Sequence, residues 1–88
     1  MTRVILKYVL DGPEATIRMP HGARMLTARL QRGEICLWAE VDVCGPTVAR
    51  TFVSINTGAD FDPRYLRYIA TDESSNGVVW HVYEKEKV

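Results

Sequence analysis

The sequence predicts an all-β protein: a small antiparallel β-sandwich or partly open β-barrel of about six to seven strands. Three observations lead there. Apolar and polar residues alternate at period two along nearly the whole chain, the pattern of half-buried strands. Turn-forming residues punctuate that alternation about every 8–12 residues, the spacing of a sandwich or barrel. No long segment carries a 3.6-residue period, so no ordinary helix is expected.

The elements follow in order. Over residues 3–10, Val4, Leu6, Tyr8 and Leu10 share one face, with Arg3, Lys7 and Val9 among those opposite. Asp11-Gly12-Pro13 supplies a tight turn. Ala15, Ile17 and Met19 alternate with Glu14, Thr16 and Arg18 until Pro20-His21-Gly22 breaks the run. Leu26, Ala28 and Leu30 alternate with Met25, Thr27 and Arg29. Gln31-Arg32-Gly33-Glu34 reads as a hairpin, with Gly33 where a positive φ is needed. Beyond it, Ile35, Leu37, Ala39 and Val41 face one way and Cys36, Trp38 and Glu40 the other. Both faces are apolar enough for a central strand.

Cys44-Gly45-Pro46 ends the first half, and the β-branched run 48–56 is the next strand. Residues 57–63 form the longest irregular stretch, in which Asp62-Pro63 suits the start of a single helical turn. Alternation resumes over 66–71. A polar loop over 72–77 ends in Asn76-Gly77, and 78–84 is a β-branched and aromatic strand. The charged tail 84–88 is expected to fray. Strands drawn this way fill more of the chain than is usual, so shorter ones are expected.

At 88 residues the chain fits one domain, residues 1–88, too small for a thick core. Its 47% apolar and 25% charged content is that of a globular protein. Eleven basic residues balance eleven acidic ones, which argues against coating duplex DNA. No apolar run is long enough to span a membrane, and neither a membrane span nor a signal peptide is expected. Cys36 and Cys44, on one extended segment, would lie roughly 26 Å apart, beyond disulfide reach. Both are expected to be reduced and mostly buried, as in a cytoplasmic protein.

Met19-Pro20, Gly22-Ala23, Gly33-Glu34-Ile35-Cys36-Leu37-Trp38-Ala39, Arg50-Thr51-Phe52, Thr57-Gly58, Leu66-Arg67-Tyr68-Ile69 and Trp80-His81-Val82-Tyr83 resemble, in that order, a family of small uncharacterised tailed-bacteriophage and prophage proteins. Members often follow the Thr-Gly pair with a His-Pro-type loop. Ala59-Asp60-Phe61-Asp62-Pro63 stands here instead, so no role carries over to that loop. The resemblance implies a phage accessory protein acting in the host bacterial cytoplasm. Such proteins often counter host defence, which is analogy and not mechanism.

Catalytic signals are weak, and no enzyme is expected. Ser54, Cys36, Cys44 and His81 are present without a nucleophile-elbow or Cys-His signature. His81 shares its strand face with Val79 and Tyr83, as a packed or edge histidine does. Asp60 and Asp62 form an Asp-x-Asp that suits a divalent cation, though loop carboxylates are usually solvated, and Asp72-Glu73 is a weaker pair. No cofactor and no metal are expected.

Binding has better support. Eight of the eleven basic residues are Arg, whose planar fork suits phosphate and carboxylate. Residues 1–58 hold seven basic and five acidic side chains, the remainder four and six. Arg18, Arg29 and Arg32 would form one patch. Arg64, Tyr65, Arg67 and Tyr68 interleave rings with guanidinium groups near Thr57-Gly58, where a base would stack while Arg reached its phosphate. The competing account of each cluster is a solvated charged face with Tyr rings packed inward. Trp38, beside Cys36, lies opposite the Ile35–Leu37 face and so faces a second sheet, a ligand or another subunit, which predicts a homo-oligomer.

One function is therefore expected ahead of two alternatives. The first is a non-enzymatic phage protein sequestering a small anionic ligand, such as a nucleotide immune signal. Its site would use Arg50, Thr57, Gly58, Arg64, Tyr65, Arg67 and Tyr68. The second is an interaction module inhibiting a host protein through the Trp38 patch or a strand edge. The third is a minor virion or assembly component.

Overall fold

Leu37, Ala39 and Val41 are fully buried on one face of their strand, and Cys36 is buried on the other, as a central strand requires. The computed structural model describes residues 2–86. Seven strands follow in order: β1 (Val4–Leu10), β2 (Glu14–Pro20), β3 (Arg24–Gln31), β4 (Glu34–Val41), β5 (Thr47–Asn56), β6 (Leu66–Glu73) and β7 (Val79–Lys85). All pairings are antiparallel. They form a three-stranded sheet, β1-β4-β3, and a four-stranded sheet, β2-β5-β7-β6. Among the described residues no pairing joins the two sheets, so the fold is a sandwich and not a barrel.

Two connections are hairpins. Arg32 and Gly33 both hold positive φ (54° and 80°) between β3 and β4, the backbone of a type I′ turn. Ser74 closes the β6–β7 turn, accepting the Gly77 N–H and exchanging hydrogen bonds with Val78. Asp11-Gly12-Pro13, by contrast, carries the chain from one sheet to the other. The core lies between the sheets: Leu10, Ala28, Leu37, Ala39 and Val41 on one side meet Met19, Phe52 and Val82 on the other. Burying a side chain the size of Phe52, Met19 or Leu37 stabilises the fold by about 1.5–3 kcal/mol each.

The sandwich is closed along one seam and open along the other. β3 packs closely on β6, whereas β1 only grazes β2. At the closed seam Asp72 of β6 accepts the Leu30 N–H at 2.8 Å, a carboxylate satisfying the free edge of the opposite sheet. At the open seam Val4 and Leu6, whose side chains point inward, stay exposed.

Several expectations are corrected. Asp62-Pro63 starts no helical turn; Asp62 Oδ1 instead accepts the Arg64 N–H at 3.0 Å and fixes an irregular turn. The strands are not short: β6 runs on to Glu73, through residues expected in the polar loop. Arg18 and Arg29 form no common patch, because β2 and β3 belong to different sheets. Cys44 is exposed and only Cys36 is buried; both are free thiols. The tail does not fray at 84–86, where Glu84 is buried and the Glu86 N–H bonds Tyr65 O at 2.7 Å. Residues 87–88 lie outside the described part. Trp38 faces neither the second sheet nor the core; it stands half-buried on the outer face between Lys7 and Thr27.

Candidate functional site

The residues expected to bind an anion are dispersed over separate surfaces, and most of their charge is already matched. Arg50 on β5 points between the sheets. Its Nε and Nη2 meet both Glu84 oxygens at 2.6 and 2.7 Å, and Nη1 donates to Ala23 O at 2.5 Å. This bidentate pair is mostly buried, and the Glu84 hydrogen bonds hold the Arg50 pKa above its ordinary value. Arg67 lines the same cleft, of about 580 Å³, with Glu86 at 3.7 Å. Arg64 closes on Asp62 at 2.6 Å; its side chain and backbone N–H hold the Asp62 carboxyl below the usual range. The Thr57 N–H is spent on Val79 O at 3.2 Å, and Gly58 sits in the turn at φ 91°.

The outer face of the four-stranded sheet divides into two halves. The β2 side is polar: Thr16 and Thr51 share a hydrogen bond of 2.8 Å, Arg18 binds Thr47, and Lys85 meets Glu14 at 2.9 Å. The β6–β7 side is aromatic. Tyr83 lies edge-on to Tyr68 at 5.5 Å, and Phe61 folds back from the β5–β6 loop onto Tyr83 at 5.6 Å. Such pairs add about 0.5–1.5 kcal/mol beyond their buried area, which favours this arrangement of the rings. Phe61, Tyr65 and Tyr68 remain 46%, 58% and 55% exposed. Beside them Val53, Ile55, Leu66 and Tyr65 line a groove of about 480 Å³.

Tyr65 reaches that groove in a costly conformation. Its φ is 61°, which strains a bulky L-residue by about 1–2 kcal/mol. Two backbone bonds flank it, Leu66 N–H to Pro63 O at 3.2 Å and Glu86 N–H to Tyr65 O at 2.7 Å. Glycine would meet both without strain. The side chain stays more than half exposed, so burial offsets the strain only in part.

A hydroxyl chain borders the rings. Tyr68 bonds Thr71 at 2.7 Å, Thr71 bonds His81 Nδ1 at 3.0 Å, and His81 Nε2 bonds Thr57 at 2.7 Å. Thr57 beside Nε2 resembles a nucleophile with its base. Nδ1, however, meets a hydroxyl instead of the carboxylate that orients such a base. Among the described residues no three His, Cys, Asp or Glu side chains gather as metal ligands.

A wider cleft, of about 970 Å³, opens at the end of the sandwich where the β1–β2 turn, the β3–β4 hairpin and the β6–β7 turn meet. Leu10, Ile35 and Trp80 supply apolar lining; Ser54, Asn56, Asn76 and Arg32 supply polar groups. Among the described residues Arg32 is the one arginine with neither an ion pair nor a side-chain hydrogen bond. Glu34 and Glu73 share the lining, so the cleft is not cationic overall.

The sequence profile described as a domain of unknown function, DUF7352, matches residues 1–88. The chain belongs to the DUF7352 family. No curated protein matches it, and no solved structure does.

In this DUF7352 domain the structure joins only some of the predicted site residues. Tyr68 and Thr57 meet through Thr71 and His81, Arg64 and Tyr65 share the apolar groove, and Arg50 and Arg67 share a different cleft. Phe61, Tyr83 and Ile55 complete the aromatic half-face and were not among the predicted residues. For Ile55 and Tyr83 the signal was parity, since with His81 they fall on the outward positions of β5 and β7; Phe61, in a loop, carried no such signal.

Proposed function

We propose that this DUF7352 domain is a non-enzymatic interaction module. Its working surface is the aromatic half of the outer face of the β2-β5-β7-β6 sheet, and its partner is another protein. The observation that carries this reading is Tyr65: a strained aromatic residue, more than half exposed, beside an apolar groove and three clustered rings. Exposed clustered rings are the usual anchors of protein interfaces, where Tyr supplies large area at small entropic cost. Charges at the rim are matched within the chain, Arg64 by Asp62, Glu86 by Arg67 and Lys85 by Glu14, which leaves apolar contact as the main attraction. The resemblance to tailed-phage proteins supports a host protein as the target, met in the bacterial cytoplasm.

The test is capture of a discrete partner from bacterial lysate by immobilised protein. Capture is expected to fail for Tyr65→Gly and for Phe61→Ser and to survive Arg32→Ala. Retention by both ring variants would refute the assignment.

A second reading, sequestration of a small phosphate-bearing ligand, is favoured by Arg32, which has no ion pair among the described residues and lines the end cleft together with Trp80. A stabilising nucleotide raises the melting temperature by mass action. A nucleotide panel that raises it in wild type and not in Arg32→Ala would select this reading over the first.

A further inference from the structure

A sandwich of two open sheets has four free strand edges, here β1, β3, β2 and β6. An exposed edge invites pairing with another chain, and natural proteins block it with bulges, prolines, charges or a covering group. Three of the four are blocked. β3 is bulged between Met25 and Thr27, and Asp72 takes its Leu30 N–H. β6 is bulged between Tyr68 and Ala70 and ends in Asp72 and Glu73. β2 carries Glu14 and Arg18 outward and closes on Pro20.

Among the described residues β1 has neither a bulge nor a covering group. Its register with β4 runs unbroken from Val4 to Leu10, it holds no proline, and Lys7 is its one charge. Ile5 is 61% exposed and Val9 39% on the outer face; Val4 and Leu6 are exposed at the open seam. Both cations of the segment are drawn back across their own sheet. Lys7 Nζ donates to Gln31 at 2.9 Å, and Arg3 Nε pairs with Glu40 at 2.7 Å.

We infer that β1 is a self-association edge: two copies pair β1 against β1, antiparallel, about a two-fold axis through Lys7. This goes beyond the proposed partner surface, which lies on the other sheet. The strand itself argues for a second copy as the occupant. Centred on Lys7, the pairing sets Val4 against the partner's Leu10, Ile5 against Val9 and Leu6 against Tyr8. All seven residues are used, and apolar side chains meet apolar ones on both faces. Lys7 is the only residue set against itself, and its ammonium is already turned away to Gln31. The two three-stranded sheets become one of six strands, and a two-fold contact closes without propagating.

Analytical ultracentrifugation tests this, with circular dichroism to confirm folding. Wild type sediments as a dimer at micromolar concentration. Ile5→Lys weakens the dimer about a hundredfold, since each substitution occurs twice and each loss of a buried aliphatic side chain costs at least a factor of ten. Val9→Glu does the same. The double variant, Ile5→Lys with Val9→Glu, regains the dimer, because every introduced lysine then faces a glutamate across the axis. Leu26→Lys, on the bulged β3 edge, leaves the dimer intact. Both single positions are exposed, so folding is retained. A wild-type monomer, a dimer that persists in either single variant, or a double variant that stays monomeric would each overturn the inference. In the first case the edge is left for a strand of another protein.

Discussion

Asp72 Oδ2 accepts the Leu30 backbone N–H at 2.8 Å, across the gap between the two sheets. Its other oxygen accepts the Glu73 N–H at 2.9 Å, and Arg29 lies 3.8 Å away. One side chain thus satisfies an edge amide that β-pairing leaves free and fastens the seam where β3 meets β6. The same bonds, the Leu30 N–H first, hold the Asp72 carboxyl below its ordinary range. A depressed carboxylate contributes stability that is complete above its unfolded pKa of about 3.9 and is lost as the pH falls through the folded value. Asp72→Ala is therefore expected to lower the urea midpoint at neutral pH. The gap from wild type closes in acid, below about pH 4, and a gap of constant size across that range would contradict the role.

Arg50 and Glu84 form the second fastening, this time within the four-stranded sheet and reaching to Ala23 O. Removing one partner strands a mostly buried charge, so Arg50→Ala and Glu84→Ala are each expected to cost about 3–5 kcal/mol. The paired replacement Arg50→Met with Glu84→Leu is expected to cost far less, because neither charge remains. Chemical denaturation of the three variants checks this. A double variant no more stable than either single one would show that the ion pair is not what the site needs.

Period-two alternation made the strands legible, including the central position of β4, because both parities of residues 35–41 are apolar. Which strand joins which sheet was not legible. Arg18 and Arg29 sit on consecutive strands and look like neighbours, yet the chain changes sheets between them. Arg50 and Glu84 are 34 residues apart, and nothing local in either segment points to the other. The bulge between Tyr68 and Ala70 defeats parity directly: residues beyond it face opposite to where a regular strand would put them. That shift places Thr71 on the outward side, where it meets His81. The aromatic half-face needed three distant pieces, Phe61, Tyr68 and Tyr83, only one of which was predicted.

Tyr65 separates stability from binding. Its φ of 61° suits glycine, and the ring is 58% exposed. Tyr65→Gly relieves about 1–2 kcal/mol of strain while adding about 0.5–1 kcal/mol of chain entropy cost. Stability is expected to stay within about 1 kcal/mol of wild type or to rise slightly. A midpoint drop corresponding to more than about 2 kcal/mol would mean that the ring serves the fold instead of a partner.

The two thiols differ in the same testable way. Cys36 is 2% exposed, with Sγ turned toward Glu34 O at 3.8 Å, whereas Cys44 lies exposed in the β4–β5 loop. Thiol reagents attack the accessible thiolate, so one equivalent should react promptly in native protein and the second only on unfolding. The rate of the slow phase then follows opening of the three-stranded sheet, since Cys36 faces Val9 and Arg29 on either side. If β1 is covered by a second copy, that opening slows as protein concentration rises, and Ile5→Lys abolishes the dependence. Equal prompt reaction of both thiols would place Cys36 on an accessible surface, contrary to its position on β4.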